Sequence, residues 1–99
     1  MNRKRLRIHS QAQQEIHEAF DWYFKRSFQT AEAFLDEIGK SLSQIVSHPK
    51  LYPAYLHHTR RRILKGFPYS VIFQEKEDTL RVLAIAHAKR RPGYWRSRT

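Results

Sequence analysis

The chain has 99 residues, 40% hydrophobic and 13% aromatic, and its 19 Lys and Arg against 9 Asp and Glu give a formal net charge of +10. That apolar share suffices for one core, which argues against wholesale disorder and leads to one folded domain over residues 1–99. No cysteine is present, so disulfides, thiolate zinc sites and a cysteine nucleophile are excluded. No apolar run approaches the ~18–20 residues that span a bilayer. The N-terminus is basic (Arg3, Lys4, Arg5, Arg7), but no hydrophobic stretch follows it as a secretory signal requires. A soluble, cytoplasmic protein is expected.

Residues 4–9 alternate polar and apolar, as a half-buried strand does. Ser10 and Gln13 match a capping box that would start a helix at Gln11. Ala12, Ile16, Ala19, Phe20 and Tyr23 then recur at three- and four-residue steps, and Lys25-Arg26 suits the negative end of that helix. Ser27 is placed to cap a second helix, whose stripe is Ala31, Phe34, Leu35, Ile38, Leu42, Ile45 and Val46; Pro49 stops it. Two consecutive amphipathic helices with a tight joint form an antiparallel hairpin, and its outward faces are expected to hold most of the acids. Trp22 and Phe24 leave the main stripe and are candidates either for exposed docking or dimerisation rings or for packing beneath the 47–58 loop.

Residues 47–58 read as a loop. Residues 59–65, 69–75 and 79–87 read as strands, with Gly66-Phe67-Pro68 ending the first and Lys76-Glu77-Asp78 joining the other two as a hairpin. The last strand is apolar on both faces, which places it inside the sheet. The predicted fold is α+β, in the order β-α-α-β-β-β, with a helical hairpin packed on one face of a mainly antiparallel four-stranded sheet. Residues 96–99 look free to fray.

The charge is unevenly spread. Six of the nine acids lie between residues 15 and 37, and there is none from Ile38 to Gln74 or from Thr79 to the end. Nine of the 19 basic residues fall in two short runs, Arg60 to Lys65 and Lys89 to Arg98. Such uncompensated runs imply a basic face directed at a polyanion: nucleic acid, or an acidic protein that imitates or guards it. Within a strand, Arg60 and Arg62 share one side and Arg61 takes the other. His48, His57 and His58 match no zinc-ligand spacing, so neither a metal nor another cofactor is implied.

The ordered set of motifs resembles the RelE/ParE family of type II toxins. It comprises Ala31-x-x-Phe34-Leu35-x-x-Ile38 after Ser27, then Leu42-x-x-Ile45 with a His48-Pro49 exit. It continues through Arg60-Arg61-Arg62-Ile63-Leu64, Phe67-Pro68-Tyr69-Ser70-Val71-Ile72-Phe73 and Arg81-Val82-Leu83-Ala84-Ile85-Ala86-His87-x-Lys89-Arg90-Arg91-Pro92-x-Tyr94-Trp95. The resemblance covers almost the whole chain and implies a plasmid-stabilisation type toxin that inhibits growth and is neutralised by a cognate antitoxin with an extended, often acidic segment.

The resemblance offers two activities. RelE-like members cut mRNA in the ribosomal A site, whereas ParE-like members poison DNA gyrase; the Arg-Arg-Pro-x-Tyr-Trp ending looks more like the ParE branch. On the first option a metal-independent endoribonuclease would need His87 as base or acid, Arg62 and neighbouring cations for the transition-state charge, and Tyr94 as a second proton-transfer group. On either option Arg60, Arg61, Arg62, Lys65, Lys89, Arg90, Arg91 and Trp95 are the candidate surface for target or antitoxin; for Trp95, folding back to cover an apolar sheet edge is the favoured alternative to stacking on a base, and for Tyr94 the two readings are even. A basic nucleic-acid-binding module without toxicity is a further alternative.

Overall fold

The computed structural model describes residues 4–99; Arg3, counted above with the basic N-terminus, lies outside them. Strand β1 (Arg5–Ile8) leads into helices α1 (Ser10–Phe24) and α2 (Phe28–Ser47). Then follow β2 (Ala54–Tyr55), β3 (Thr59–Ile63), β4 (Tyr69–Lys76) and β5 (Thr79–His87). Short 3-10 turns cover Pro49–Leu51, Leu56–His58 and Arg96–Arg98. The class is the predicted α+β, but the sheet has five strands, ordered β1-β5-β4-β3-β2. The added strand is β2, two residues within the predicted loop that pair with Arg60 and Thr59. Among the described residues only β1 and β5 pair in parallel.

The helix boundaries follow from local chemistry. Ser27 caps α2 as predicted, its Oγ accepting from the Thr30 N–H at 3.2 Å. The α1 cap differs from expectation: His9, not Ser10, is the N-cap, and its Nδ1 accepts from the Gln11 N–H at 3.1 Å. An imidazole nitrogen supplies the acceptor that a hydroxyl usually gives. Ser10 is therefore the first helical residue.

β5 is interior, as its two-sided apolar pattern requires, and it carries a bulge. Ile72 pairs with Ala84 and Phe73 with Val82, so Leu83 has no partner on β4. The extra residue resets the alternation. Leu80, Val82 and Ile85 face the helices, in a core with Ala12, Ala19, Phe34, Ile38, Ile45, Val71 and Phe73. Leu83 and Ala84 both face the other side, where they meet Ile72 and Trp95. The residues after β5 fold back over that second face, so the sheet is covered by the helical hairpin on one side and by the C-terminal segment on the other.

Three expectations about exposure are corrected. Leu35 is exposed because its position on α2 turns away from the sheet. Glu15 and Glu37, counted with the outward acids, are turned inward, with side chains only 10% and 9% exposed. Arg98, predicted to fray, is as buried as they are, because it has a carboxylate to bind.

Candidate functional site

Alternation along β3 divides the arginine triplet as predicted. Arg60 and Arg62 lie on the helix side. Arg60 donates from Nη1 to the Tyr52 carbonyl at 2.7 Å, with the Glu75 carboxylate 4.0 Å from its Nε. Arg62 is 3.6 Å from Glu37 Oε2, lies over the Tyr52 ring, and has a buried Nε with no partner among the described residues. Its side chain is only 11% exposed. Glu37 also accepts from the Lys65 N–H at 2.8 Å and the Ser41 hydroxyl at 3.4 Å, so one carboxylate ties α2 to the end of β3. Lys65 keeps its side chain exposed.

Arg61 points to the opposite face, its guanidinium stacked on the Tyr55 ring at 4.2 Å. There it joins Arg90, which stacks on Tyr94 at 3.7 Å, and the exposed Arg91. These three cations line one small pocket of about 130 Å³. Lys89 is exposed beside it.

His87 ends β5 on the helix side, edge-on to Tyr69 with ring centroids 4.9 Å apart. Its Nδ1 accepts from the Lys89 N–H at 3.0 Å, so the neutral ring carries its proton on Nε2. It lies at one end of a cleft of about 400 Å³ between α1 and β5, lined also by Glu18, Trp22, Tyr23, Tyr69 and Arg90. Trp22, 53% exposed, stands at the rim with Arg26 stacked 3.6 Å over it. Phe24 and Phe28 are about equally exposed and stack edge-to-face at the joint between the helices.

Tyr94 donates its hydroxyl to Glu15 Oε2 at 2.7 Å. Burial and that bond raise its pKa well above the ordinary phenol value. The same carboxylate takes both guanidinium nitrogens of Arg98 at 3.0 Å and the Ile85 N–H at 2.9 Å. Arg98 Nη1 in turn donates to the Leu83 carbonyl at 3.0 Å. β1 stops opposite Val82, so the β5 edge beyond it would be bare; Glu15 and Arg98 satisfy it in place of a strand. Nothing in local sequence announces this, because the partners are separated by up to 83 residues.

The predicted catalytic set is thus not assembled. Arg62 is held over Tyr52 and against Glu37 with little exposure, and β4 lies between its strand and that of His87. Tyr94 is engaged by Glu15. Trp95, counted above with the target surface although packing over the sheet is the favoured reading, is 1% exposed and packs on Leu83 and Ala84; it is core. Among the described residues no three His, Asp or Glu side chains converge as a metal site would need, and no helix is long and apolar enough to cross a membrane.

Comparison with known proteins decides the branch. Residues 6–92 match the family model described as the ParE toxin of the type II toxin-antitoxin system parDE. The chain belongs to the ParE toxin family. It is 25% identical over 93 residues to Toxin ParE2 of Mycobacterium tuberculosis, in both strain CDC 1551 / Oshkosh and strain ATCC 25618 / H37Rv, covering 90% of this chain and 86% of the relative. In fold this ParE-family chain is similar to one in the structure of the chromosomal ParDE TA system from P. aeruginosa. The TM-score is 0.76 at 16% identity, over 87% of this chain and 97% of the other.

Proposed function

We propose that this ParE-family toxin arrests growth by poisoning DNA gyrase, and that a cognate antitoxin neutralises it in the cytoplasm. Membership of the ParE family, over residues 6–92, is the observation that carries the reading. The site chemistry supports it by what it fails to assemble. Cleavage of RNA needs a proton acceptor and a proton donor within reach of one phosphate, beside cations that stabilise its added charge. Here Arg62 is bound to Glu37, Tyr94 holds its proton firmly against Glu15, and His87 has its Nδ1 lone pair occupied. The ribosome-dependent mRNA nuclease is therefore the weaker alternative.

For the antitoxin, the cleft beside Trp22 and Tyr69 and the exposed rings of Phe24 and Phe28 offer apolar footing next to the cations of the tail. That pairing suits an extended segment with apolar anchors and acidic flanks. The discriminating experiment uses purified toxin in two assays, gyrase supercoiling and cleavage of ribosome-bound mRNA. Inhibited supercoiling with accumulated cleaved DNA and intact mRNA is expected. Cut mRNA with undisturbed gyrase, lost on His87→Ala, would overturn the proposal.

A further inference from the structure

From the pocket between β3, β5 and the C-terminal segment, we infer that this protein binds a phosphate group there, held by Arg61, Arg90 and Arg91. The pocket lies on the sheet face away from the helices, and the turn after β5 closes it: the Ala88 N–H donates to the Pro68 carbonyl, and Tyr94 N–H to the Arg91 carbonyl. Its volume of about 130 Å³ suits an ion of phosphate size and is too small for a nucleoside. Ser70 adds a hydroxyl from β4, and among the described residues no carboxylate lines the pocket.

The state of the guanidinium groups carries the inference. Elsewhere in the fold the half-buried arginines have polar partners: Arg60 donates to a carbonyl, Arg98 to a carboxylate, Arg81 to Gln74 and the Arg98 carbonyl, and Arg62 is ion-paired with Glu37 although its Nε has no partner among the described residues. Arg61, also half-buried, and the exposed Arg90 are different. Each is held by its flat face on a tyrosine, at 4.2 Å on Tyr55 and 3.7 Å on Tyr94, and neither makes a hydrogen bond or ion pair from its side chain among the described residues. Stacking fixes a guanidinium plane while leaving its in-plane N–H donors unused, and those donors match the paired oxygens of an oxyanion. Three unneutralised cations around one enclosure repel one another, and an anion placed among them removes that repulsion.

A tetrahedral phosphate fits better than a carboxylate. The two stacked guanidinium groups rest on rings from different elements, β2 and the tail, and a tetrahedral oxyanion can offer an edge of two oxygens to each. A carboxylate offers two oxygens in a single plane and one charge. Arginine already occupies one face of each tyrosine, so the site is assigned no base stacking, and no cleavage is implied. The inference stands independently of which target the toxin attacks.

The test is amide NMR titration of the whole protein at low salt, with inorganic phosphate, with a dinucleotide bearing one internal phosphodiester, and with glutarate as a dicarboxylate control. Phosphate is expected to shift Arg61, Ser70, Arg90 and Arg91 saturably. Arg61→Ala and Arg90→Ala, two variants from separate elements, should each weaken binding about tenfold by losing charge-assisted bonds. Lys50→Ala, which removes an exposed charge elsewhere, should leave it within about twofold. Binding of the dinucleotide as well would assign the site to nucleic-acid backbone, and binding of inorganic phosphate alone to a free or terminal phosphate; both support the pocket. Shifts spread over all basic residues, equal losses in Lys50→Ala and Arg61→Ala, or tighter binding of glutarate than of phosphate would overturn it.

Discussion

Removing the Glu15 carboxylate should unfasten the C-terminal segment before it unfolds the rest. Glu15 and Arg98 side chains are 10% and 8% exposed, and the carboxylate receives four donors: both Arg98 nitrogens, the Tyr94 hydroxyl and the Ile85 N–H. Glu15→Ala leaves Arg98 as a buried, unpaired cation. Losing one member of such a pair costs about 3–5 kcal/mol, a large share of the roughly 5–15 kcal/mol that stabilises an ordinary domain. At about 4–8 °C per kcal/mol for a chain of this size, the melting temperature should fall by at least ~12 °C.

Trp95 reports the event directly. The chain has two tryptophans, so a Trp22→Phe background leaves Trp95 as the sole indole. In guanidinium titrations of Glu15→Ala, its fluorescence should shift red before the far-UV helical signal is lost. In the parent background the two transitions should coincide. Replacing both partners, Glu15→Met with Arg98→Met, removes the stranded charge and should recover about 1–3 kcal/mol relative to the sum of the single variants. Recovery should stop short of the parent, because the Ile85 N–H and Leu83 carbonyl lose their partners in either case. A loss below about 1 kcal/mol in Glu15→Ala, with additive singles, would refute this account of the clamp.

Two other predictions concern the same kind of buried contact. The raised phenol pKa of Tyr94 stabilises the fold fully below the unfolded value of 10.0, and that contribution is lost as pH rises above it, because the unfolded phenol ionises while the folded one holds its proton. Urea midpoints measured from pH 8 upward should therefore fall less steeply in Tyr94→Phe than in the parent, and parallel slopes would count against the Glu15 bond. Glu37→Ala strands Arg62 and frees the Lys65 N–H, so stability should drop by about 3 kcal/mol and hydrogen exchange at Lys65 should accelerate; unchanged protection at Lys65 would show that the carboxylate is not what ties α2 to β3.

Legibility in the sequence followed the range of the interaction. The Ser27 cap, the strand over 79–87 and the alternation that separates Arg61 from its neighbours are short-range consequences of residue type, and they were readable. The two residues of β2 were not, since two residues carry no periodicity. Nor was the Leu83 bulge, which an uninterrupted apolar run conceals: Leu83 and Ala84 facing one way and Val82 and Ile85 the other is a shift in register, invisible until β4 is laid alongside. Glu15 and Glu37 sit at helix positions that composition assigns to solvent. They turn inward because backbone donors at the ends of distant strands, Ile85 and Lys65, need acceptors there.

The tail changes what the net charge of +10 means. As a count it suggests a polyanion footprint spread over both basic runs. In the fold those runs separate into two populations. Arg60, Arg62 and Arg98 are spent on the protein itself, on Tyr52, Glu37 and Glu15, where each satisfies a carbonyl or carboxylate. Arg61, Arg90 and Arg91 remain unspent around one pocket on the tail face, and Lys65, Lys89 and Arg96 are exposed to solvent. Because a buried ion pair has little charge left to offer a partner, substitutions in the first population should act through stability and those in the second through binding. The Glu15–Arg98 clamp links the two, since it holds Tyr94 in place and Tyr94 holds the plane of Arg90. A basic surface that depends on a buried carboxylate for its geometry is one whose binding should weaken when that carboxylate is removed, although Glu15 is itself an acid.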